Sequence, residues 1–223
     1  MLPKSHIFDP VTVSQGRGLF ARLAIHRGTL ILREQPLFLL SRDDYSIVNP
    51  KPGDLRWQQW LDLDLACPIP TSGHDKLYDR FRQTSLPCGV LLRNNKEVEV
   101  SGAFLRAALF NHSCRPNVHA HWVSVEGVMC FRALREIHPR EELYICYDTS
   151  TLLSGTQQRR EHLLNHFGFI CNCPCCLMSS HDSDSRRRAI RQVVEQRVVD
   201  VEGEFAPIQL QTQMVSNRPQ PHK

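Results

Sequence analysis

Apolar residues recur in short runs, many of which alternate with polar ones, and this pattern predicts β-strands over much of the chain. Such runs occupy residues 7–13, 29–40, 118–125, 128–133 and 143–147. Glu126 and Gly127 separate two of these runs and predict a β-hairpin. Pro36 marks an edge or an end within the 29–40 run, since proline cannot donate to a sheet. The fold class is therefore predicted to be mainly β with α insertions.

Helical spacing of apolar residues appears in two regions of the chain. Residues 54–65 and 74–85 carry apolar side chains three or four positions apart and predict a helical insertion between strands. A further helix is predicted to start with Ser154 as its N-cap and to end at Gly168 in the left-handed conformation. A basic stretch at 185–199 also suits a helix, whereas the proline-rich and glutamine-rich residues 204–223 predict disorder.

These patterns divide the chain into five expected parts. They are a first strand region, a helical insertion, a second strand region, a helix followed by a cysteine-rich segment, and a basic helix with a disordered tail. Their expected bounds are 1–40, 41–100, 101–150, 151–178 and 179–223.

Composition narrows the class of protein. The chain has 223 residues, of which 41% are hydrophobic and 22% charged, as expected for a globular protein. It has no run of 18 apolar residues, so no membrane partner is expected. A net charge of +4 is too small to indicate nucleic-acid binding by itself. Arginines cluster locally at Arg186, Arg187, Arg188 and Arg191, and this basic tail could still contact nucleic acid or chromatin weakly.

Cysteine usage indicates a reducing compartment. The nine cysteines are an odd number, four of them fall within six residues, and the first ten residues lack the apolar core of a signal peptide. We therefore expect a nuclear or cytoplasmic protein, acting as a monomer. Cys67 and Cys88 stand apart from other cysteines and are expected to be small buried side chains.

The densest polar cluster is NHSCRPN, at residues 111–117. It brings an amide, an imidazole, a hydroxyl and a thiol together in four residues. A buried polar group without a partner costs about 1 to 3 kcal/mol, so this density indicates a binding site rather than core packing. Ser113 is expected to bond within a turn, because no nucleophile elbow surrounds it.

A second cluster predicts a metal centre. Cys171, Cys173 and Cys176 have the spacing C-x-C-x-x-C, which suits three thiolates on one Zn²⁺ ion. His166 or His181 could supply the fourth ligand, but we favour Cys114. A link spanning about 57 residues would remove on the order of 3 to 4 kcal/mol of loop entropy from the unfolded chain. A zinc knuckle that binds nucleic acid is the competing interpretation of such a cluster.

Four motifs in order resemble the SET-domain lysine methyltransferases. They are GRGLFA at 16–21, NHSCRPN at 111–117, EELYICYD at 141–148 and the cysteine segment from 171, called post-SET in that family. The order is more specific than any single motif. The branch that combines SET and MYND domains is the most similar, because there too a helical insertion splits the core and the NHSC cysteine completes the post-SET zinc site. This chain departs from that branch in lacking the MYND finger and the long helical C-terminal domain.

The resemblance implies a fold of small sheets with a knot-like crossing, an S-adenosylmethionine donor and a protein substrate bearing lysine. It implies that six residues bind the donor: Gly16, Arg17, Gly18, Asn111, His112 and Phe169. Tyr147 matches the catalytic tyrosine. Phe167 occupies a position in the lysine channel where relatives often have tyrosine. Tyr144 has the opposite strand parity to Tyr147 and is expected to be structural.

One departure from the family pattern concerns the turn before the two glutamates. Arg140 replaces the glycine that the family has there, so a left-handed backbone would cost about 1 to 2 kcal/mol. Together with Phe167 and the absent flanking domains, this leaves an alternative open. The alternative is a SET-like binding or scaffold module with little or no turnover.

Overall fold

A computed structural model describes residues 7–13, 16–41, 47–48, 55–63, 80–81, 84–93, 95–178 and 180–204. The strands are β1 (Phe8–Val13), β2 (Gly16–Ala21), β3 (Leu30–Glu34), β4 (Phe38–Ser41), β5 (Ile47–Val48), β6 (Ser85–Arg93), β7 (Lys96–Ala103), β8 (Asn111–His112), β9 (Val118–Val123), β10 (Val128–Ala133) and β11 (Tyr144–Ile145). The helices are α1 (Leu55–Leu61), α2 (Thr156–Phe167), α3 (Pro174–Leu177) and α4 (Ser180–Glu204), and a 3₁₀ turn spans Ala107–Leu109.

Small sheets make up the described fold, as the mainly β prediction requires. Strands β1 and β2 form one antiparallel pair, and β3, β10 and β9 form a three-stranded sheet in that order. The predicted hairpin of β9 and β10 is confirmed, with Gly127 in the left-handed region at φ 62°. Phe131 of β10 is fully buried and stacks on Phe110 with ring centroids 4.8 Å apart. Part of the core therefore lies between this sheet and the segment that leads into the NHSC stretch, and the same core extends to buried residues of β4, α1, β6 and β7.

The insertion is less helical than its sequence suggested. Helix α1 is present, and its Trp57 and Trp60 pack with Phe38 of β4 at centroid distances of 5.1 and 5.2 Å. The second predicted helix falls mostly outside the described residues. Strands β6 and β7 follow it and join β4 and β5 in a sheet ordered β5-β4-β7-β6. Residues 85–100 thus belong to a β-hairpin rather than to a helical insertion. The alternating segment KEVEV forms the start of β7, which pairs antiparallel with β6.

The segment before the NHSC stretch is held by Glu34 at the end of β3. Its carboxylate accepts the backbone N–H groups of Leu105, Arg106 and Ala107 at 3.1, 2.9 and 2.8 Å. Removal from water raises the pKa of Glu34, and these three hydrogen bonds oppose that rise only in part. The carboxylate fixes the start of the 3₁₀ turn, and therefore the direction in which the chain enters β8.

The C-terminal part consists of three helices. Gly168 ends α2 at φ 77° and donates its N–H to the Leu164 carbonyl at 3.0 Å, as predicted. The predicted N-cap was wrong: Gly155 holds that position, and its lack of a side chain leaves the capping to Asp184 of α4. The basic stretch predicted to be helical lies within α4, which starts five residues earlier. Residues 205–223 lie outside the described part of the chain. No helix in the described ranges is long and apolar enough to cross a membrane.

Candidate active site and metal centre

The NHSC stretch runs parallel to β11, in the region where the resemblance predicts the crossing. Asn111 pairs with Tyr144 and His112 with Ile145, and the Ser113 N–H donates to the Ile145 carbonyl at 2.9 Å. Asn117 closes the stretch by donating to the Glu142 carbonyl at 2.7 Å and accepting the Tyr144 N–H at 2.7 Å. The segment 111–117 is therefore fixed against the EELYICYD motif along its length.

Asn111 joins this pair of strands to β2. Its side-chain amide donates to the Arg17 carbonyl at 3.1 Å and to the Glu142 carboxylate at 2.7 Å. Glu142 also accepts the Tyr144 hydroxyl at 2.5 Å. Burial and this hydrogen bond both raise the pKa of Tyr144, which keeps the phenol protonated. The three motifs GRG, NH and EELY thus meet at one carboxylate, and Tyr144 takes part as a supporting side chain.

Gly18 lies within β2, and its φ is not in the left-handed region. The reason for glycine is close approach. A Cβ at this position would lie 2.4 Å from Glu142 Oε1 and 3.1 Å from Asn111 Nδ2. Gly16 begins the same strand opposite Val13. The bare backbone at Gly18 is what allows Glu142 and Asn111 to meet there.

His112 lies between the metal centre and the EELYICYD motif. Burial lowers its pKa to about 4, so the imidazole is neutral near pH 7. Its Nδ1 accepts the Tyr147 N–H at 3.2 Å, which assigns the ring proton to Nε2. Nε2 lies 3.4 Å from the Cys114 sulfur and can donate to it. One neutral ring therefore contacts both the tyrosine predicted to be catalytic and a cysteine predicted to bind metal.

Tyr147 is the centre of an aromatic cluster. Its ring centroid lies 5.3 Å from His112, 5.3 Å from Phe167 and 6.1 Å from Phe169. Its hydroxyl donates to the Phe110 carbonyl at 2.8 Å. The catalytic, channel and stacking residues named from the sequence are therefore neighbours, although 35 positions separate His112 from Tyr147.

A small pocket opens beside Tyr147 and Phe167. Sequence reasoning missed most of its other lining residues, which are Thr84, Ser85, Leu86, Ala107, Ala108, Phe110 and Ile145. Thr84 is fixed by accepting the Trp60 indole N–H at 2.9 Å. The insertion thus supplies one wall of the pocket. No local pattern in the sequence marks Thr84 to Leu86, because only tertiary packing brings them to Tyr147.

The four cysteines predicted to bind metal converge. The sulfurs of Cys114, Cys171, Cys173 and Cys176 all lie within 4.8 Å of one another. Cys114 Sγ lies 3.8 Å from Cys171 Sγ and 3.6 Å from Cys176 Sγ. Tetrahedral zinc with Zn–S bonds of about 2.3 Å sets its sulfurs about 3.8 Å apart, whereas a disulfide would need about 2.05 Å. These residues therefore fit a tetrathiolate zinc site.

His166 and Cys175 are not part of this cluster. His166 is exposed and its ring stacks on His162, with centroids 4.1 Å apart. Cys175 is buried outside the group of four sulfurs. Cys88 is buried as expected, which raises the pKa of its thiol to about 12, whereas Cys67 lies outside the described residues. Hydrogen bonds among the four sulfurs lower the pKa of the Cys176 thiol and raise the pKa of the Cys114 thiol.

Three features of the site are typical of SET-fold proteins with a post-SET cysteine segment. They are the pocket beside Tyr147, the bond between Asn111 and the GRG strand, and the cysteine cluster that contacts His112. The chain belongs to the SET-domain family, whose model matches residues 16–148. The family resemblance drawn from the four motifs is confirmed.

Named relatives support the same family. The chain is 27% identical over 195 residues to histone-lysine N-methyltransferase set5 of Schizosaccharomyces pombe, covering 84% of this chain and 57% of that protein. It is 37% identical over 123 residues to N-lysine methyltransferase SMYD2 of Bos taurus, covering 54% of this chain and 26% of that protein. It is 30% identical over 96 residues to protein-lysine N-methyltransferase SMYD4 of Homo sapiens, covering 43% of this chain and 12% of that protein. The chain thus spans less than two thirds of each of these relatives.

Proposed function

We propose that this protein transfers the methyl group of S-adenosylmethionine to the side-chain amine of a lysine in a protein substrate. The observation that carries the proposal is the position of Tyr147. Its ring contacts His112 and Phe169, both assigned to the donor, and also lines the pocket beside Phe167 that is assigned to lysine. Tyr147 thus lies between the two predicted binding sites. The relatives named above as lysine methyltransferases support the same chemistry.

The donor supplies an electrophilic methyl group on a positively charged sulfur. On the protein side, six residues are proposed to hold it: Gly16, Arg17, Gly18, Asn111, His112 and Phe169. The bond between Asn111 and the Arg17 carbonyl supports this grouping, because it fixes the NH pair against the GRG strand. Phe169 lies 5.8 Å from the His112 ring and could stack on a flat heterocycle there.

Substrate lysine must lose its proton before it can act as a nucleophile. With a pKa near 10.4, only about 0.04% of the amine is neutral at pH 7, so deprotonation costs roughly 4 to 5 kcal/mol in water. Walls formed by Phe110, Phe167 and the Tyr147 ring disfavour the ammonium form by removing it from water. Water accepts the proton, a new N–C bond forms as the C–S bond breaks, and the sulfur keeps the electron pair. Tyr147 orients the amine, and alignment contributes several kcal/mol to such a reaction.

We further propose Zn²⁺ as the structural metal at Cys114, Cys171, Cys173 and Cys176. A site of this kind requires reduced thiols, which supports a nuclear or cytoplasmic location. The expectation of a monomer stays a prediction.

Methyl transfer from labelled S-adenosylmethionine to a broad panel of histones and other lysine-bearing peptides tests the proposal. Tyr147→Phe is expected to lower kcat about 100-fold, as removal of an oriented polar group from a reaction centre commonly does. Binding of the donor, measured by calorimetry, is expected to persist. Tyr144→Phe is the comparison: its hydroxyl bonds Glu142, which also holds Asn111, so this change is expected to weaken donor binding while kcat at saturating donor is largely retained.

One result would replace the proposal with the alternative of a SET-like scaffold. That result is an unaltered protein that binds S-adenosylmethionine but transfers no label to any substrate of the panel, with Tyr147→Phe behaving in the same way.

A further inference from the structure

A buried cation lies directly against the cysteine cluster. Arg159 of α2 is 1% exposed, and its guanidinium donates to the Cys176 sulfur at 3.4 Å. It also donates to the Ser154 carbonyl at 2.6 Å and to the Thr156 hydroxyl at 3.0 Å. Four thiolates and one Zn²⁺ carry a net charge of −2, and a buried charge needs a nearby charge of opposite sign. Arg159 provides one such positive charge, although it is not a metal ligand.

Helix α4 contacts the same guanidinium through Asp184. Asp184 forms an ion pair with Arg159 at 3.5 Å. The same carboxylate accepts the backbone N–H and the hydroxyl of Thr156, both at 2.9 Å, and so caps α2 in place of the absent Gly155 side chain. A continuous chain of charged contacts therefore runs from Asp184 through Arg159 to Cys176.

A second contact joins α4 to the middle of the chain. Arg187 donates to the Leu152 carbonyl and to the Cys114 carbonyl, the latter at 3.1 Å. One turn further along, Arg191 donates to the Ser154 hydroxyl at 3.0 Å. Arg187 and Arg191 belong to the arginine cluster that was expected to contact nucleic acid or chromatin weakly, yet both donate hydrogen bonds within the protein itself. Arg188, between them, is exposed and bonds only Ser185 of its own helix among the described contacts.

We propose that α4 is a clamp on the metal centre, in which Arg159 and Arg187 are positioning residues that slow the loss of zinc. Asp184 orients Arg159 against the Cys176 sulfur, while Arg187 holds the backbone of Cys114, the ligand that comes from outside the post-SET segment. Groups that orient metal ligands without binding the metal commonly change metal affinity about 10- to 100-fold. The clamp is independent of methyl transfer, and it rests only on the fit of zinc to the four cysteines.

Zinc release tests the clamp. The zinc-loaded full-length protein is mixed with excess chelating dye, and the release rate is read from absorbance without any methyl-transfer assay. Arg159→Gln is expected to release zinc about 10- to 100-fold faster. The zinc release rate of Arg159→Lys is expected to lie between those of the unaltered protein and Arg159→Gln, because one ammonium cannot reach Ser154, Thr156 and Cys176 together. Arg187→Ala is expected to release zinc several-fold faster. Arg188→Ala removes the same charge from the next position and is expected to release zinc at the unaltered rate.

Thermal unfolding with and without zinc separates the clamp from general destabilisation. In a clamp variant, the rise in Tm that zinc produces is expected to shrink. A merely structural role would lower both Tm values equally. If Arg159→Gln does not fold, Asp184→Asn and Arg187→Ala still test the proposal from the surface helix. Equal release rates for Arg187→Ala and Arg188→Ala would overturn it, as would the absence of bound zinc in the unaltered protein.

Discussion

At the scale of single residues, Arg140 carries backbone strain that its sequence context indicated. It lies at φ 67°, in the left-handed region, and its N–H donates to the Ala21 carbonyl at 2.8 Å. A non-glycine residue there costs about 1 to 2 kcal/mol, whereas glycine adds some entropy to the unfolded chain.

Arg140→Gly is therefore expected to raise the free energy of unfolding by about 0.5 to 1 kcal/mol, measured by urea denaturation. The reverse change at a left-handed glycine, Gly168→Ala, serves as the comparison and should lower stability by about 1 kcal/mol. A less stable Arg140→Gly variant would show that the side chain contributes more than the backbone strain costs.

Gly18 provides a second prediction at this scale. In Gly18→Ala, the new Cβ would lie 2.4 Å from Glu142 Oε1, so the carboxylate must move away and Asn111 loses its alignment. We expect weaker binding of S-adenosylmethionine, on the order of 10-fold, because an oriented hydrogen-bond partner is worth about 1.4 kcal/mol. Calorimetric titration measures it. An unchanged dissociation constant for S-adenosylmethionine would show that Gly18 does not contribute to the donor site.

At the scale of elements, Glu34 shows how one side chain sets the direction of a segment. Glu34→Ala leaves three backbone N–H groups of residues 105–107 without their acceptor. We expect a loss of about 2 to 3 kcal/mol in the free energy of unfolding, measured by chemical denaturation. Glu136→Ala is the control, because among the described residues its carboxylate pairs with exposed His26 alone, and its loss should cost less than about 1 kcal/mol. Equal losses in the two variants would contradict the role of Glu34.

Much of the fold could be predicted from local pattern. Alternation and a turn glycine were sufficient for the hairpin of β9 and β10, and Gly168 marked the end of α2. The hairpin of β6 and β7 was not predicted, because the helical spacing of apolar residues before it made the whole insertion appear helical. The N-cap of α2 was missed for a different reason. Asp184 lies 28 residues away in the chain, and capping rules consider only neighbours.

Some residues of the candidate site could likewise be predicted from the sequence, and others could not. The position of Cys114 beside the late cysteines followed from the argument that a closed metal site needs a fourth ligand. The pocket residues Thr84 to Leu86 could not be predicted, since their contact with Tyr147 depends on packing of the insertion. Arg159 did leave a signal. It lies four residues before buried Leu163, on the inner face of α2, where a charged residue indicates a buried partner.

At the scale of the whole molecule, the cysteine cluster joins Cys114, which lies in the region matched by the SET-domain model, to the segment that begins at Cys171. Removal of zinc with a chelator is expected to expose residues 171–204 to proteases first, while the sheet of β3, β10 and β9 stays protected. The reason is that the core packs in a hydrophobic cluster separate from the one around the cysteines. Limited proteolysis followed by mass spectrometry measures the order of cleavage. Simultaneous cleavage in both regions would show a single cooperative unit.

The ring of His112 couples two parts of the site. Its two nitrogens face the Tyr147 backbone and the Cys114 sulfur. A chemical change at Cys114 would therefore alter the hydrogen bond that His112 accepts from the Tyr147 N–H, and with it the position of the tyrosine.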